Sequence, residues 1–319
     1  MRALVTGVAG FVGTHLARAL LAEGIEVWGV IHRRSFEDEE LAGRVRLLRA
    51  DLTVPAEVDR LVAEVRPDWV FHLAAFSSVA RSWEDPAETF RVNVIGQLSL
   101  LRALAAGGQR PRILIPGSAE EYGLVKPEEL PVREENPLRP TNPYAVSKIA
   151  QDFLGYQFFL SYGLPVVRIR AFNQVGPGQS PEFVVSGFAR QVAAAELGLG
   201  PPEVRVGNLE ARRDFTDVRD MVRAYILGMR CCRPGEVYNV GSGVSVRVGD
   251  LLAKLCAQSR VPVRVVPDPA RFRPLDVPEI YADATKFRAA TGWEPRIPLE
   301  QSLAEVLEFW RVKLRREPP

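Results

Sequence analysis

Three side chains in the middle of the sequence have the types and spacing needed to move a proton to or from an oxygen atom. Tyr144 and Lys148 form a Tyr-x-x-x-Lys pair in a segment of helical periodicity, and a spacing of four places both on one helix face. A lysine ammonium stabilises a nearby phenolate, so the tyrosine can exchange a proton with a hydroxyl or carbonyl group. Ser118 closely follows a predicted strand, and its hydroxyl can bond the same reacting oxygen. The three residues predict oxidation of an alcohol or reduction of a carbonyl.

A glycine-rich turn lies between the first predicted strand and the first predicted helix. Residues 6–13 read Thr-Gly-Val-Ala-Gly-Phe-Val-Gly. Glycines permit a tight turn and close backbone approach here, and the start of the helix offers amide donors and a positive dipole to a pyrophosphate. The turn therefore predicts a dinucleotide-binding site made of Gly7, Gly10, Phe11, Val12 and Gly13.

The end of the second predicted strand indicates which nicotinamide dinucleotide is bound. NAD-binding sites usually place an acidic residue about 20 residues beyond the glycine turn, on the ribose 2′-hydroxyl. This sequence has His32-Arg33-Arg34 instead, and guanidinium groups can hold a 2′-phosphate. We predict NADP(H) as the cofactor, with Arg33 and Arg34 at the phosphate; a solvated basic turn is the alternative.

The rest of the predicted cofactor wall follows later strands. Asp51 comes after the third predicted strand and suits the adenine edge, because its carboxylate can accept the exocyclic amine. Capping of the helix that starts at Pro55 is the alternative role for Asp51. The remaining predicted cofactor contacts are Leu52, Leu73, Ala74, Ala75 and Asn93, together with Tyr144 and Lys148.

The elements that must position these residues alternate along the first half of the chain. Short apolar runs predict strands, and 3.6-residue periodicity predicts helices. This alternation predicts an α/β protein with a Rossmann-type, doubly wound parallel sheet covered on both faces. The predicted strands are residues 2–6, 25–31, 46–50, 69–74, 112–116 and 165–171, and the predicted helices are 11–23, 54–65, 88–105 and 142–162.

The alternation loosens after about residue 172, where glycine and proline become frequent and only short strands are predicted. We predict an NADP(H)-binding Rossmann domain over residues 1–171. A smaller C-terminal substrate-binding lobe, partly interleaved with it, is predicted over 172–319. The sequence has no obvious linker between them, so we expect the two to share one core.

Composition argues against several functional classes. The 319 residues include 41 basic and 39 acidic ones, and this near balance argues against a general nucleic-acid binder. No apolar run approaches the ~20 residues of a membrane span. Three cysteines, two of them adjacent, favour a reducing, cytoplasmic setting over a disulfide framework. The three histidines lie outside any ligand-spaced cluster, which argues against a metal site and a Ser-His-Asp hydrolase.

Longer motifs give the sequence a family resemblance. The glycine turn, Asn-Pro-Tyr-Ala-Val-Ser-Lys at 142–148 and Arg-Ala-Phe-Asn at 170–173 resemble the extended short-chain dehydrogenase/reductase family. That family comprises nucleotide-sugar epimerases, 4,6-dehydratases and 4-keto reductases, and the likeness covers essentially the whole chain. It implies a nucleotide-sugar substrate. Segments 117–123, 206–210 and 213–220 are most similar to family members that act on GDP sugars.

The segment Ser118-Ala119-Glu120 bears on which of these reactions is implied. Dehydratases of the family keep a glutamate at the position of Glu120, and an aspartate or serine at the position of Ala119. Alanine cannot donate a proton, so the resemblance favours NADPH-dependent reduction of the C4 keto group of GDP-4-keto-6-deoxy-D-mannose, giving GDP-D-rhamnose. Glu120 joins Ser118, Tyr144 and Lys148 as a candidate catalytic residue. A GDP-mannose 4,6-dehydratase, an epimerase and a non-enzymatic NADP(H)-binding redox sensor stay open as alternatives.

The resemblance also implies how the nucleotide sugar is held. Arg213 and Arg273 match the arginines that contact the diphosphate in the family, with a surface ion pair as the alternative for each. Asn173 matches the residue that meets the sugar or its phosphate, and Val184 is expected to contact the base. Ser118 completes the implied substrate contacts. Helices 88–105 and 142–162 resemble those that pair across family dimers, so a homodimer is expected.

Overall fold

A seven-stranded parallel sheet forms the centre of the fold. The computed structural model describes residues 1–33, 35, 36, 38, 40–272 and 275–316. The sheet contains β1 (Arg2–Thr6), β2 (Glu26–Ile31), β3 (Arg46–Arg49), β4 (Trp69–His72), β5 (Arg112–Ser118), β6 (Val166–Ala171) and β10 (Val237–Val240). Their order is β10–β6–β5–β4–β1–β2–β3, with every neighbouring pair parallel. The predicted doubly wound Rossmann-type sheet is confirmed.

Helices cover both faces of this sheet. Side chains alternate along each strand, so Leu4 and Val70 face one layer while Ala3 and Phe71 face the other. The first layer consists of α2 (Pro55–Val65), α5 (Gly96–Ala106) and α6 (Pro143–Tyr162), and the second of α1 (Phe11–Ala22), α8 (Val218–Cys231) and α10 (Thr285–Thr291). Two short helices, α3 (Val79–Glu84) and α4 (Pro86–Phe90), precede α5.

A second, smaller core is formed by residues between Val175 and Leu314. It is built from α7 (Val184–Glu196), α9 (Val248–Ala257) and α11 (Leu299–Arg316). Its strands are β7 (Asn173–Val175), β9 (Arg212–Asp217), β11 (Ser245–Arg247) and β13 (Glu279–Ile280) in one sheet, and β8 (Glu203–Val206) with β12 (Arg264–Pro267) as a separate pair.

The chain crosses between the two cores more than once. Strand β10 lies beside β6 in the main sheet, although β7, α7, β8 and β9 of the second lobe lie between the two strands in sequence. Phe287 and Trp293 are likewise fully buried in the main core. The division at residue 171/172 stays a prediction.

Two predicted elements differ in the structure. The single helix predicted for 88–105 was wrong: α4 ends at Phe90, a π-helical turn follows over Arg91–Ile95, and α5 then begins at Gly96. The strand predicted for 69–74 ends at His72, because the Ala74 N–H donates to the Thr6 hydroxyl instead of to a strand neighbour.

No helix within the described ranges has both the length and the apolar character needed to cross a bilayer. In the same part of the chain, no group of histidine, cysteine and carboxylate side chains could hold a metal ion. Cys231, Cys232 and Cys256 are free thiols.

Candidate active site

The glycine turn brings backbone against backbone at the carboxyl end of β1. Gly7 has a φ of +69°, and a Cβ there would lie 2.8 Å from the Ala74 nitrogen. A Cβ on Gly13 would lie 2.3 Å from the Gly7 oxygen. Gly10 is the N-cap of α1 and supplies no side-chain acceptor to the first-turn amides. The backbone N–H groups at the start of α1 thus face a groove that no side chain of these three glycines fills. This arrangement fits the pyrophosphate of a dinucleotide.

The end of β4 forms the next part of this groove. The Thr6 hydroxyl accepts a hydrogen bond from the Ala74 N–H at 3.1 Å and bonds His72 Nδ1 at 3.0 Å. These bonds fix the backbone where the chain leaves the sheet. The residues predicted as cofactor contacts here, Leu73, Ala74 and Ala75, are half-buried beside the half-buried Phe11 and Val12.

An open cavity of about 550 Å³ lies at the ends of β2 and β3, where the cofactor phosphate was predicted. It is lined by His32, Arg33, Arg49, Asp51, Val54 and Glu57. Arg33 is exposed on this cavity, whereas Arg34 lies outside the described residues. Arg49 was missed in the sequence; its signal is the parallel pairing of β3 with β2, which brings the ends of both strands to one edge. Two guanidinium groups therefore line the cavity.

The carboxylate of Asp51 bonds within its own turn, while its backbone N–H donates to Glu57 Oε2 in the first turn of α2 at 2.8 Å. Its Oδ1 accepts hydrogen bonds from the Thr53 N–H at 2.9 Å and the Thr53 hydroxyl at 2.7 Å. Val54 is the N-cap of α2 without a side-chain cap bond, so the alternative role of Asp51 as a helix cap is wrong. Burial acts to raise the pKa of Asp51, but the Thr53 hydrogen bonds, with His32 and Arg91 nearby, outweigh it and lower the pKa. Leu52, the next residue, is buried.

Asn93 connects the groove to the helix that carries Tyr144. It lies in the π-helical turn and is fully buried. Its Oδ1 accepts from the Phe76 N–H at 2.6 Å, and its Nδ2 donates to the Phe76 carbonyl at 3.2 Å and to Ser147 Oγ at 2.9 Å. The structure therefore shows Asn93 joining two segments, while its direct cofactor contact stays a prediction.

Ser118 and Tyr144 come together at the carboxyl end of β5. Ser118 ends β5, and its Oγ accepts a hydrogen bond from the Glu120 N–H at 3.2 Å. Burial raises the pKa of Tyr144, and a hydrogen bond between its hydroxyl and that of Ser118 acts in the opposite direction. The two hydroxyls thus face one space. Asn142 fixes the start of α6 there: its side chain accepts from the Ala145 N–H at 2.8 Å and donates to Glu120 Oε2 at 3.0 Å.

Lys148 lies one helical turn beyond Tyr144 and is buried. Its Nζ donates to the Pro116 carbonyl at 2.5 Å and to Gln151 Oε1 at 2.8 Å. Burial lowers the pKa of Lys148 to about 8, opposed by the negative charges of Glu121 and Asp152. The ammonium is thus held beneath β5, on the helix face that it shares with Tyr144.

The residues predicted for the nucleotide sugar lie across the site from α6. A small cavity is lined by Ala119, Glu120, Gly123, Asn173, Val277 and Ile280, so Glu120 and Asn173 share one space. Arg213 is buried and donates to the Val277 carbonyl at 2.6 Å and to Asp276 Oδ1 at 2.8 Å. Val184 begins α7 and is half-buried, and Arg273 lies outside the described residues.

Comparison with known proteins agrees with this geometry. A family model described as GDP-mannose 4,6 dehydratase matches residues 4–306. A GDP-6-deoxy-D-mannose reductase from Pseudomonas aeruginosa is 36% identical over 316 residues, which cover 99% of each chain. The structure of RMD from Pseudomonas aeruginosa complexed with NADPH superposes with a TM-score of 0.84 at 35% identity, covering 98% of this chain and 99% of that one. The UDP-glucose 4-epimerase of Thermus thermophilus in complex with NAD gives a TM-score of 0.88 at 32% identity, with 98% and 99% coverage.

A Rossmann sheet with a serine and a Tyr-x-x-x-Lys helix at its carboxyl edge defines the extended short-chain dehydrogenase/reductase class, as the sequence predicted. Within that class, the chain belongs to the GDP-mannose 4,6-dehydratase family. It is a nucleotide-sugar-modifying enzyme of the reductase/dehydratase type.

Proposed function

We propose that this enzyme reduces the C4 keto group of GDP-4-keto-6-deoxy-D-mannose, giving GDP-D-rhamnose. The observation that carries the proposal is Ala119, which stands between Ser118 and Glu120 in the cavity shared with Asn173. The similarity to the Pseudomonas aeruginosa GDP-6-deoxy-D-mannose reductase along the full chain supports the same reaction and the guanine base.

The alanine at position 119 has no side-chain group that could donate the proton needed for dehydration. A 4,6-dehydratase must take a proton from C5 and give one to the departing C6 hydroxyl. This requires a base and a proton donor in addition to the hydroxyls of Ser118 and Tyr144. Ala119 is buried against Tyr122, Phe172, Val277 and Ile280, and its methyl group cannot donate a proton. Reduction of a ketone needs neither group.

The residues at the carboxyl end of β5 are sufficient for that reduction. When NADPH is bound, it supplies the hydride that the carbonyl carbon receives. The Tyr144 hydroxyl donates its proton to the carbonyl oxygen, and the Ser118 hydroxyl bonds the same oxygen as negative charge develops. The Lys148 ammonium, on the same helix face, stabilises the phenolate that remains on Tyr144.

The groove beside the sheet suits NADP(H) over NAD(H). His32 and Arg33 directly follow strand β2, where an NAD site has a carboxylate, and Arg49 lines the same cavity. We propose that Arg33, Arg34 and Arg49 contact the 2′-phosphate and that the glycine turn binds the pyrophosphate. Asp51 and Leu52 then lie at the adenine, and Leu73, Ala74, Ala75 and Asn93 complete the wall.

The second lobe supplies the proposed contacts to the nucleotide sugar. Asp276 accepts hydrogen bonds from Arg213 and from Asn208 Nδ2, the latter at 2.8 Å. A bound diphosphate would therefore compete with the Asp276 carboxylate for the Arg213 guanidinium. We assign Arg213 and Arg273 to the diphosphate, Asn173 to the sugar end and Val184 to the base.

A second candidate function is the GDP-mannose 4,6-dehydratase reaction, which Glu120 favours. Its negative charge acts to raise the pKa of Tyr144, so the carboxylate lies close to the reacting hydroxyl. Its Oε2 accepts a hydrogen bond from Asn142, which orients it towards the start of α6. A dehydratase would use this carboxylate as its base; in the reductase it is a hydrogen-bonding residue.

Two substrates separate these functions. The enzyme is offered GDP-4-keto-6-deoxy-D-mannose with NADPH or NADH, and separately GDP-mannose with NADP⁺, while absorbance at 340 nm and product sugars are followed. We expect NADPH consumption and GDP-D-rhamnose formation in the first case, with NADH less effective. Dehydration of GDP-mannose without net cofactor change would contradict the proposal, and tight NADPH binding without turnover of any nucleotide sugar would indicate a sensor. Glu120→Gln separates reduction from dehydration further, because it removes the base that dehydration needs. We expect reduction to persist in this variant. Glu135→Gln, at an exposed residue, is the control and should also keep its reductase activity.

We also propose a homodimer, formed through the exposed side of α6. Val146, Phe153 and Leu160 repeat every seven residues on one helix face and are 41%, 52% and 62% exposed. Phe90 and Ile95, on the neighbouring α4 and π-helical turn, are also exposed. An apolar stripe of this kind is typical of a helix-pairing interface.

Phe153→Glu tests the dimer, since it places a charge at the centre of the stripe. We expect light scattering to give twice the 35.4 kDa chain mass for the wild type and a single chain mass for the variant. The control is Val312→Glu, at a similarly exposed apolar residue on α11. A monomeric wild type, or a dimer that is unaffected by Phe153→Glu, would contradict the proposed interface.

A further inference from the structure

A network of buried charges lies directly beneath the catalytic residues. Glu121, Asp152 and Arg170 are 0%, 1% and 4% exposed. They come from three elements: the 3₁₀ turn after β5, helix α6 and strand β6. Charges buried to this extent are stable only when each is paired and hydrogen-bonded.

Arg170 is the centre of the network. Its Nε donates to Glu121 Oε2 at 3.0 Å, and its Nη2 donates to Asp152 Oδ2 at 2.7 Å. Its Nη1 donates to the Tyr122 hydroxyl at 3.1 Å and to the Glu134 carbonyl at 3.2 Å. The guanidinium thus fixes Glu121 relative to α6.

Glu121 in turn holds the backbone of the catalytic serine. Its Oε1 accepts a hydrogen bond from the Ser118 N–H at 2.7 Å. A Cβ on Gly117 would lie 2.2 Å from the same oxygen, so the carboxylate packs tightly on the end of β5. With one oxygen on Ser118 and the other on Arg170, both oxygens of Glu121 are needed as acceptors.

Glu121 and Lys148 also interact through their charges. Glu121 acts to raise the pKa of Lys148, against the larger effect of burial. Burial raises the pKa of Glu121 itself to about 7, opposed by Arg170, the Ser118 N–H and Lys148. Each group thus favours the charged form of the other.

Resting on the proposed reduction, we propose that Glu121 is a positioning residue for it, fixing Ser118 through the backbone and keeping Lys148 protonated beside Tyr144. Glu121 itself touches neither reacting atom. Other titratable groups surround Glu121 and Lys148. They are Asp152 on α6, Arg168 and Arg170 on β6, Tyr122 and Glu120 beside Glu121, Glu134 before α6, and His72 on β4. Burial lowers the pKa of His72 to about 3, so His72 is neutral at working pH and adds no competing charge.

Glu121→Gln tests the proposal, because it keeps the size of the side chain while removing its charge and one acceptor. Loss of the charge lowers the pKa values of both Lys148 and Tyr144, since Glu121 acts to raise each of them. The proposed reduction needs the protonated Lys148 ammonium beside Tyr144, so we expect the basic limb of the kcat/KM profile to move about one pH unit lower. We expect kcat to fall about tenfold with the NADPH dissociation constant within about twofold of wild type.

Glu196→Gln is the matched control. Glu196 is a half-buried residue of the second lobe whose carboxylate is also paired with an arginine, Arg311, at 2.7 Å and accepts the Arg260 N–H at 2.9 Å. Its replacement should lower the thermal midpoint without moving the pH profile. If Glu121→Gln lowers the midpoint but its pH profile coincides with that of wild type, Glu121 has only a structural role and the proposal is overturned.

A second variant and a spectroscopic readout make the test independent of folding and of the substrate. Glu121→Asp keeps the charge but shortens the reach to Ser118, so kcat should fall while the basic limb stays at the wild-type pH. The chain has only five lysines, so NMR of ¹³Cε-labelled lysine can follow Lys148 without any sugar substrate. A lower Lys148 pKa in Glu121→Gln supports the proposal even if reduction is not the enzyme's reaction; an unchanged one overturns it.

Discussion

Tyr144→Phe is expected to lower kcat for the reduction by about 10³-fold, with the NADPH dissociation constant within about twofold of wild type. The change removes only the hydroxyl that faces Ser118, and the ring remains in its half-buried position at the start of α6. Because burial raises the pKa of Tyr144, the phenol is protonated in the free enzyme at neutral pH, which is the form that a proton donor needs. Stopped-flow single-turnover reduction, with cofactor binding followed by fluorescence, measures both quantities.

Tyr162→Phe is the control for this experiment. Tyr162 is an exposed residue at the end of the same helix, where its ring stacks on Phe158 at 4.8 Å between centroids. Its hydroxyl can be removed without loss of that contact, so kcat should be unchanged. Wild-type turnover in Tyr144→Phe would mean that another group protonates the sugar oxygen.

Gly13→Ala is expected to weaken NADPH binding by more than about 100-fold and to lower the thermal midpoint by several degrees. The added methyl group would lie 2.3 Å from the Gly7 oxygen and 2.7 Å from the Val8 Cα. Both are backbone atoms that cannot rotate away, so either the turn or the start of α1 must shift. The amides that face the pyrophosphate would move with them.

Gly200→Ala is the matched control, because a Cβ there meets no atom within 4 Å. Titration calorimetry and differential scanning calorimetry should show wild-type values for this variant. Tight NADPH binding by Gly13→Ala would contradict the assigned cofactor groove.

The parts of the site that depend on neighbours in sequence could be predicted from short sequence motifs. The glycine turn and the Tyr144–Lys148 pair were recognisable because each motif spans only a few residues within one turn or one helix. Strand alternation then placed Ser118 at the carboxyl edge of the sheet. The parallel sheet with helices on both faces follows from general rules for alternating strands and helices, whereas the order of the strands was not predicted.

The rest depends on contacts between distant residues. Glu121 and Arg170 are 49 positions apart, and each looks like an ordinary surface charge in the sequence. Asn142 reaches Glu120 only after α6 has docked on β5. Arg49 shares a cavity with Arg33 through strand pairing alone. The π-helical turn at 91–95 has no local signal, because its buried Asn93 bonds the distant Phe76 and Ser147.

The return of the chain to the main sheet as β10 has a consequence for biosynthesis. Residues 1–171 leave the ribosome with the outer edge of β6 uncovered and without Phe287 and Trp293, which fill the same core. At about 5–20 residues per second, β10 follows roughly 3–14 s after residue 171 has been made, and Phe287 and Trp293 follow roughly 6–24 s after it. Until β10 has been made, an apolar edge strand and an incomplete core are open to other chains. The nascent protein is therefore most vulnerable to aggregation just before its last quarter is translated.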